Sequence, residues 1–168
     1  MDLPKRKPNR LPNFDYNTPG AYFVTICTQN RQNLLCRIVG GGALDAPQVV
    51  LSSAGKIARK YILSGNNMEH VTVDHFVIMP NHIHLILMVN YDDPCGTPRA
   101  SSPTNSQIPR FVAAFKRFCH QDIGHVIFQR SYHDHIIRGE RDYLKIWEYI
   151  DTNPARWKED CFYKEDIP

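Results

Sequence analysis

Residues 77–87 read VIMPNHIHLIL. Val71 to Met79 and His82 to Val89 are two strand-like runs, and Pro80-Asn81 between them is turn chemistry, so the stretch predicts a β-hairpin. Side chains alternate along a strand, which puts His82 and His84 on one face with Ile86 and Met88, and Ile83, Leu85, Leu87 and Val89 on the other. A strand that is apolar on both sides belongs in the middle of a sheet. Two imidazoles are thereby held side by side in a dry place, where each buried polar group must find a partner. Hydrogen bonds to neighbouring groups are one solution, and a shared cation is another. If Met79 pairs with His82 across the turn, His75 falls on the same face as the histidine pair. Pro80 cannot take the positive φ that favoured two-residue hairpin turns need at their first position, which predicts a longer loop.

Outward from the hairpin, Ala21 to Thr28 is aromatic and β-branched after Pro19-Gly20 and reads as a strand. Ser52 can cap a helix running to Leu63, in which Ile57, Ala58, Tyr61 and Ile62 recur at helical spacing. A second helix is traced by Ile108, Phe111, Val112, Phe115, Phe118 and Cys119, with Arg110, Lys116 and Arg117 on its polar side. Tyr132 to Arg138 predicts a fourth strand. Glu140 to about Asn153 predicts a last helix with Tyr143, Leu144, Trp147 and Ile150 on its apolar side. The order βαββαβ is the ferredoxin-like arrangement of an α+β fold, an antiparallel sheet with helices, to which the final helix is added.

The length of 168 residues suits one domain with its own core. A basic N-terminal arm is expected over about 1–15, with Lys5, Arg6, Lys7 and Arg10, and a flexible loop over about 90–107, where Asp, Pro, Gly, Ser and Thr dominate. Hydrophobic residues make up 42% of the chain and charged residues 22%, the balance of an ordinary globular protein. No stretch approaches the ~20 apolar residues that span a bilayer, and the first 20 residues lack the apolar core of a signal peptide, so a cytoplasmic protein without membrane contact is expected. The five cysteines contain no C-x-x-C pair, which argues for reduced thiols. The net charge of +3 is a mild basic excess.

Near the C-terminus, Tyr149 and Asn153 are four residues apart and stack on one helix face, away from the main apolar stripe. Pro154 disfavours α conformation at Asn153, so the helix is expected to end there. His133-Asp134-His135 is a rival histidine pair, with a charged centre and polar surroundings that suit an edge or a surface.

Met79-Pro-Asn-His-Ile-His84 followed by an apolar strand, together with Tyr149-Ile-Asp-Thr-Asn-Pro154, resembles the paired signatures of the single-tyrosine HUH transposases. Within that superfamily the match is to the REP-associated tyrosine transposases, because asparagine stands four residues after the tyrosine where the insertion-sequence branch tends to have glutamine. Asp134-His-Ile-Ile-Arg138 and Pro19-Gly-Ala-Tyr-Phe-Val-Thr25 are also similar to that group, so the likeness runs from about residue 10 to 155. It implies that His82, His84 and Asn153 hold Mg²⁺ or Mn²⁺ and that Tyr149 attacks a DNA phosphate. It further implies a single-stranded DNA partner with a hairpin or palindromic element, and a monomer or a homodimer. Lys5, Arg6, Lys7, Arg10, Arg110, Lys116 and Arg117 are then candidates to grip phosphates.

Two other readings use the same residues. An RRM, a binding module without catalysis, shares the βαββαβ plan but displays aromatics on its central strands for base stacking, and His82 to Val89 has none. A metal hydrolase would use His82, His84, His133 and His135 with activated water and no covalent step.

Overall fold

The computed structural model describes residues 18–40, 46–90 and 106–165. The expected basic arm, Cys95 and nearly all of the loop expected over 90–107 lie outside them. Among the described residues, six strands and three α-helices follow in the order β1 (Gly20–Cys27), β2 (Cys36–Val39), β3 (Gln48–Leu51), α1 (Ser53–Ser64), β4 (Val71–Ile78), β5 (His82–Val89), α2 (Gln107–Ile123), β6 (His133–Ile136) and α3 (Glu140–Thr152). The main sheet has the order β4-β5-β1-β6, and every neighbouring pair is antiparallel. That is the expected ferredoxin-like sheet. The small β2-β3 hairpin, inserted between β1 and α1, is a feature that the sequence reading did not anticipate.

Alternation along the central strands sorts the two sheet faces. Tyr22, Val24 and Ile26 of β1 lie opposite Leu87, Leu85 and Ile83 of β5, all of them buried. They pack with Ala58 and Ile62 of α1 and with Ile108, Phe111, Val112 and Phe115 of α2 in one core. The other face carries Phe23, Thr25 and Cys27 opposite Ile86, His84 and His82, and α3 lies against this side through β4 and β5. The histidines therefore sit on the face away from the main core.

Local chemistry fixes the elements that frame this face. Ser52 caps α1 by accepting from the Gly55 amide, while its own hydroxyl donates to the Leu34 and Leu35 carbonyls. Gly55 must stay bare, since a Cβ there would meet the Leu35 carbonyl oxygen at 2.0 Å. The β4-β5 turn is shorter than Pro80 predicts: Ile78 pairs with Ile83, and the Met79 amide donates to the His82 carbonyl at 2.9 Å, so that only Pro80 and Asn81 separate the facing residues. A bulge at Asp74 leaves His75 opposite Ile86, on the same face as the histidine pair. At the other edge, Gly139 adopts φ 86°, a conformation costly for any side chain, and turns the chain from β6 into α3.

Two details of α3 differ from expectation. Leu144 is 56% exposed and Trp147 40% exposed, so the apolar side is held mainly by Ile150, which is buried, and by the stacking of Trp147 on His75 with ring centroids 4.4 Å apart. The helix also ends at Thr152 with Asn153 still in the right-handed helical region (φ −55°, ψ −42°). The conformational preference that Pro154 imposes is not followed here, and the turn beyond the helix is closed by the Arg156 amide donating to the Asn153 carbonyl at 3.1 Å.

Candidate metal and tyrosine site

His82 and His84 are buried at the start of β5, and each has its Nδ1 engaged. The Nδ1 of His82 lies 2.9 Å from Oδ1 of Asn81, whose amide group donates in turn to the carbonyls of Phe162 and Arg31. The Nδ1 of His84 lies 2.9 Å from the Thr25 hydroxyl, which the β1-β5 register places directly opposite. Fixing one ring nitrogen in this way orients the other, the arrangement found around histidines that ligate metals. The two rings stand edge to face with centroids 4.4 Å apart.

The remaining nitrogens meet groups from α3 and the segment after it. The Tyr149 hydroxyl is 3.3 Å from Nε2 of His84 and donates to Oδ2 of Asp160 at 3.2 Å. The Asn153 amide donates to the same Oδ2 at 2.9 Å, and Nε2 of His82 lies 4.0 Å from it. Ligand atoms of His82, His84 and Asp160 all fall within 4.8 Å of one another. Nε2 of His82 and Oδ1 of Asn153 are buried without a hydrogen-bond partner. Buried polar atoms left in this state are costly and call for an explanation, which a cation beside His82 would supply for its Nε2.

The electrostatics suit the same explanation. Burial pushes His82 down to about 4, against a smaller upward pull from Asp160, and burial with the neighbouring His82 pushes His84 well below its usual value. Both rings are neutral at pH 7, the form that ligates metals. Tyr149 is pushed up to about 12, first by burial and then by the negative charge of Asp160. Its phenol holds its proton until positive charge arrives nearby.

The other residues singled out in the sequence are distributed as follows. His133 and His135 are exposed on the edge strand β6, and His135 pairs with Asp142 at 2.9 Å. Neither belongs to the metal-capable group among the described residues. Arg110 and Arg117 are exposed on α2. Lys116 departs from the expected polar side of that helix: it is buried, and its ammonium donates to the carbonyls of Gln129, Arg130 and Ser131. Asp160, Asn81 and Thr25 were not anticipated. Thr25 could have been found from the β1-β5 register. Asn81 has the sequence signature of a turn residue alone, and Asp160 lies beyond Pro154, where no periodicity points back to the sheet.

A protein of Haemophilus influenzae is 31% identical to this chain, in an alignment covering 94% of the chain and 93% of that protein. The two belong to one family. No family model matches the sequence. In structure, the chain matches a REP-associated tyrosine transposase bound to a REP hairpin, with a TM-score of 0.61, 19% identity, and coverage of 94% of this chain and 74% of that one. At that level of identity the likeness establishes the fold. This chain has the fold of the tyrosine transposase group that its two signatures resemble, and both signatures meet at the site described above.

Proposed function

We propose that this chain is a divalent-metal-dependent nuclease and strand transferase acting on single-stranded DNA beside hairpins or palindromes, with Tyr149 as the nucleophile. The observation that carries this reading is the position of the Tyr149 hydroxyl, 3.3 Å from His84 and 3.2 Å from the Asp160 carboxylate, beside a buried His82 whose Nε2 has no hydrogen bond. The donor set fits the ion that the resemblance implies: two neutral imidazoles and an oxygen donor, Asn153 in the family pattern. Such an ion, when bound, supplies positive charge that polarises a phosphate oxygen and favours the phenolate of Tyr149.

Tyr149 Oη would attack phosphorus and form a P–O bond as the bond to the 3′ oxygen breaks, which leaves a 5′-phosphotyrosine and releases a 3′-hydroxyl. The proton lost by the phenol balances the one gained by the leaving oxygen. Attack by the same or another 3′-hydroxyl reverses the step and frees Tyr149, so rejoining needs no ATP. Thr25 and Asn81 hold the imidazoles in place throughout. Support for a hairpin substrate comes from the shared fold with a transposase bound to a REP hairpin, and from the exposed Arg110 and Arg117 together with Lys5, Arg6, Lys7 and Arg10 of the N-terminal arm.

Incubation with end-labelled hairpin DNA and Mn²⁺, followed by denaturing electrophoresis, tests the reading. Wild type gives a slow-migrating protein–DNA band, and Tyr149→Phe gives none.

A further inference from the structure

Within the reading just given, the identity of the oxygen ligand is open to a closer argument. We propose that Asp160 is the oxygen ligand that completes the metal site with His82 and His84, and that Asn153 is a positioning residue that orients its carboxylate.

Three contacts of Asp160 and its burial converge on this. Asp160 Oδ2 is 4.0 Å from Nε2 of His82, and it belongs with both imidazoles to a group whose ligand atoms lie within 4.8 Å of one another. Asn153 presents its NH₂ group to this carboxylate at 2.9 Å; the amide oxygen could not face the carboxylate without repulsion. Asn153 thus spends its donor on Asp160. The second carboxylate oxygen, Oδ1, accepts from the Phe162 amide at 2.7 Å, which fixes the plane of the group. The Asp160 side chain is only 2% exposed, and no lysine or arginine pairs with it among the described residues. A carboxyl group enclosed with two imidazoles and without a cationic side chain is a donor set that fits a cation.

The segment around Asp160 is built to hold it there. The Phe162 ring packs on His82 with centroids 4.7 Å apart and lies under the Arg31 guanidinium at 4.9 Å, while the Phe162 carbonyl accepts from Asn81 at 2.8 Å. Asn81 therefore ties the turn that orients His82 to the segment that delivers Asp160. The chemistry also favours a carboxylate: as a hard, charged oxygen donor it suits Mg²⁺ or Mn²⁺ better than a neutral amide, and it compensates for two imidazoles that these ions bind less readily.

The test is Mn²⁺ binding to the full chain, followed by electron paramagnetic resonance of the free ion, so that it reads the site and not the reaction. Asp160→Asn, nearly the same shape without the charge, is expected to weaken binding at least tenfold, and Asn153→Ala to weaken it less. In the Asp160→Asn background the further change Asn153→Ala should cost almost nothing, because Asn153 acts through the carboxylate. Thermal melting shows that each variant is folded. If Asp160→Asn binds as wild type does while Asn153→Ala and His82→Ala lose affinity, Asn153 is the ligand: the proposal is overturned and the metal-dependent reading stands. Independent, multiplying losses in the double variant would equally remove the positioning role of Asn153. If wild type itself binds no Mn²⁺, both the ligand assignment and the metal-dependent reading fall.

Discussion

Tyr149 on α3 and His84 on β5, 65 residues apart in sequence, bring Oη and Nε2 to 3.3 Å. The contact joins the helix that holds the phenol to the strand that holds both imidazoles, and Phe23 on β1 supports it by stacking on His84 at 5.1 Å and meeting Tyr149 edge-on at 6.2 Å. The proposed nucleophile and the two imidazoles are thus brought together by a helix packed on the sheet and by strand register.

Replacing either histidine should remove metal-dependent cleavage and keep the fold. His82→Ala and His84→Ala leave Ile83, Leu85 and Leu87 in the core on the opposite face. Thr25→Val, which removes only the group that orients His84, should cost roughly 10–100-fold in Mn²⁺ affinity. His133→Ala, on the exposed edge strand, should have a smaller effect than any of these. Cleavage rates and Mn²⁺ titration read the outcome, and unchanged cleavage in both His82→Ala and His84→Ala would remove the site assignment.

Stability without metal should fall in acid. The folded-state value of His82 is about 4, below the ordinary 6.5, and that of His84 is depressed in the same direction by burial. The unfolded chain then binds more protons between these limits, so the stability present above about pH 6.5 is lost as pH falls toward 4. Chemical denaturation at pH 7.0, 5.5 and 4.5 in chelator should show this decline, and it should flatten in a folded His82→Ala, His84→Ala double variant.

Lys116 and the two exposed arginines should separate cleanly. Lys116→Met leaves three carbonyls without their donor and should destabilise the chain by about 1–3 kcal/mol. Arg110→Ala and Arg117→Ala should leave the melting temperature nearly unchanged. For a phosphate contact, each should weaken DNA binding uniformly across sequences and reduce the salt slope by about 1. Fluorescence anisotropy at several salt concentrations checks this beside thermal melts.

Single-stranded DNA flanking a hairpin should be cut, and the same sequence as full duplex should not. Tyr149 Oη is held against His84 and Asp160 on the sheet face, and a backbone held in a stacked, paired helix cannot reach it readily. Equal cleavage of both substrates on a denaturing gel would contradict the substrate class.

Much of this was legible in the sequence because one strand carried it. The alternation in His82 to Val89 specified a central strand, two faces and a paired histidine site, and the βαββαβ order followed from helical and strand periods on either side. The β2-β3 hairpin was missed because its strands have only four residues each and show mixed burial, too short for a period to emerge. Leu144 was misplaced since helical spacing alone cannot say which side a lightly packed helix turns inward. Lys116 has the residue type of a surface cation, but the carbonyls that enclose it come from residues 129–131, which only the tertiary fold brings under α2. Asp160 depended on a chain reversal after α3 that no local signal specifies.

The central claim, a covalent Tyr149–DNA step, is tested most directly by digesting the protein–DNA adduct with nuclease and protease and locating the remaining nucleotide by mass spectrometry. The result expected is a 5′-phosphodeoxynucleotide on Tyr149, absent in Tyr149→Phe. A nucleotide on Tyr143 or Tyr132, or cleavage of the hairpin with no protein-linked nucleotide at all, would contradict it.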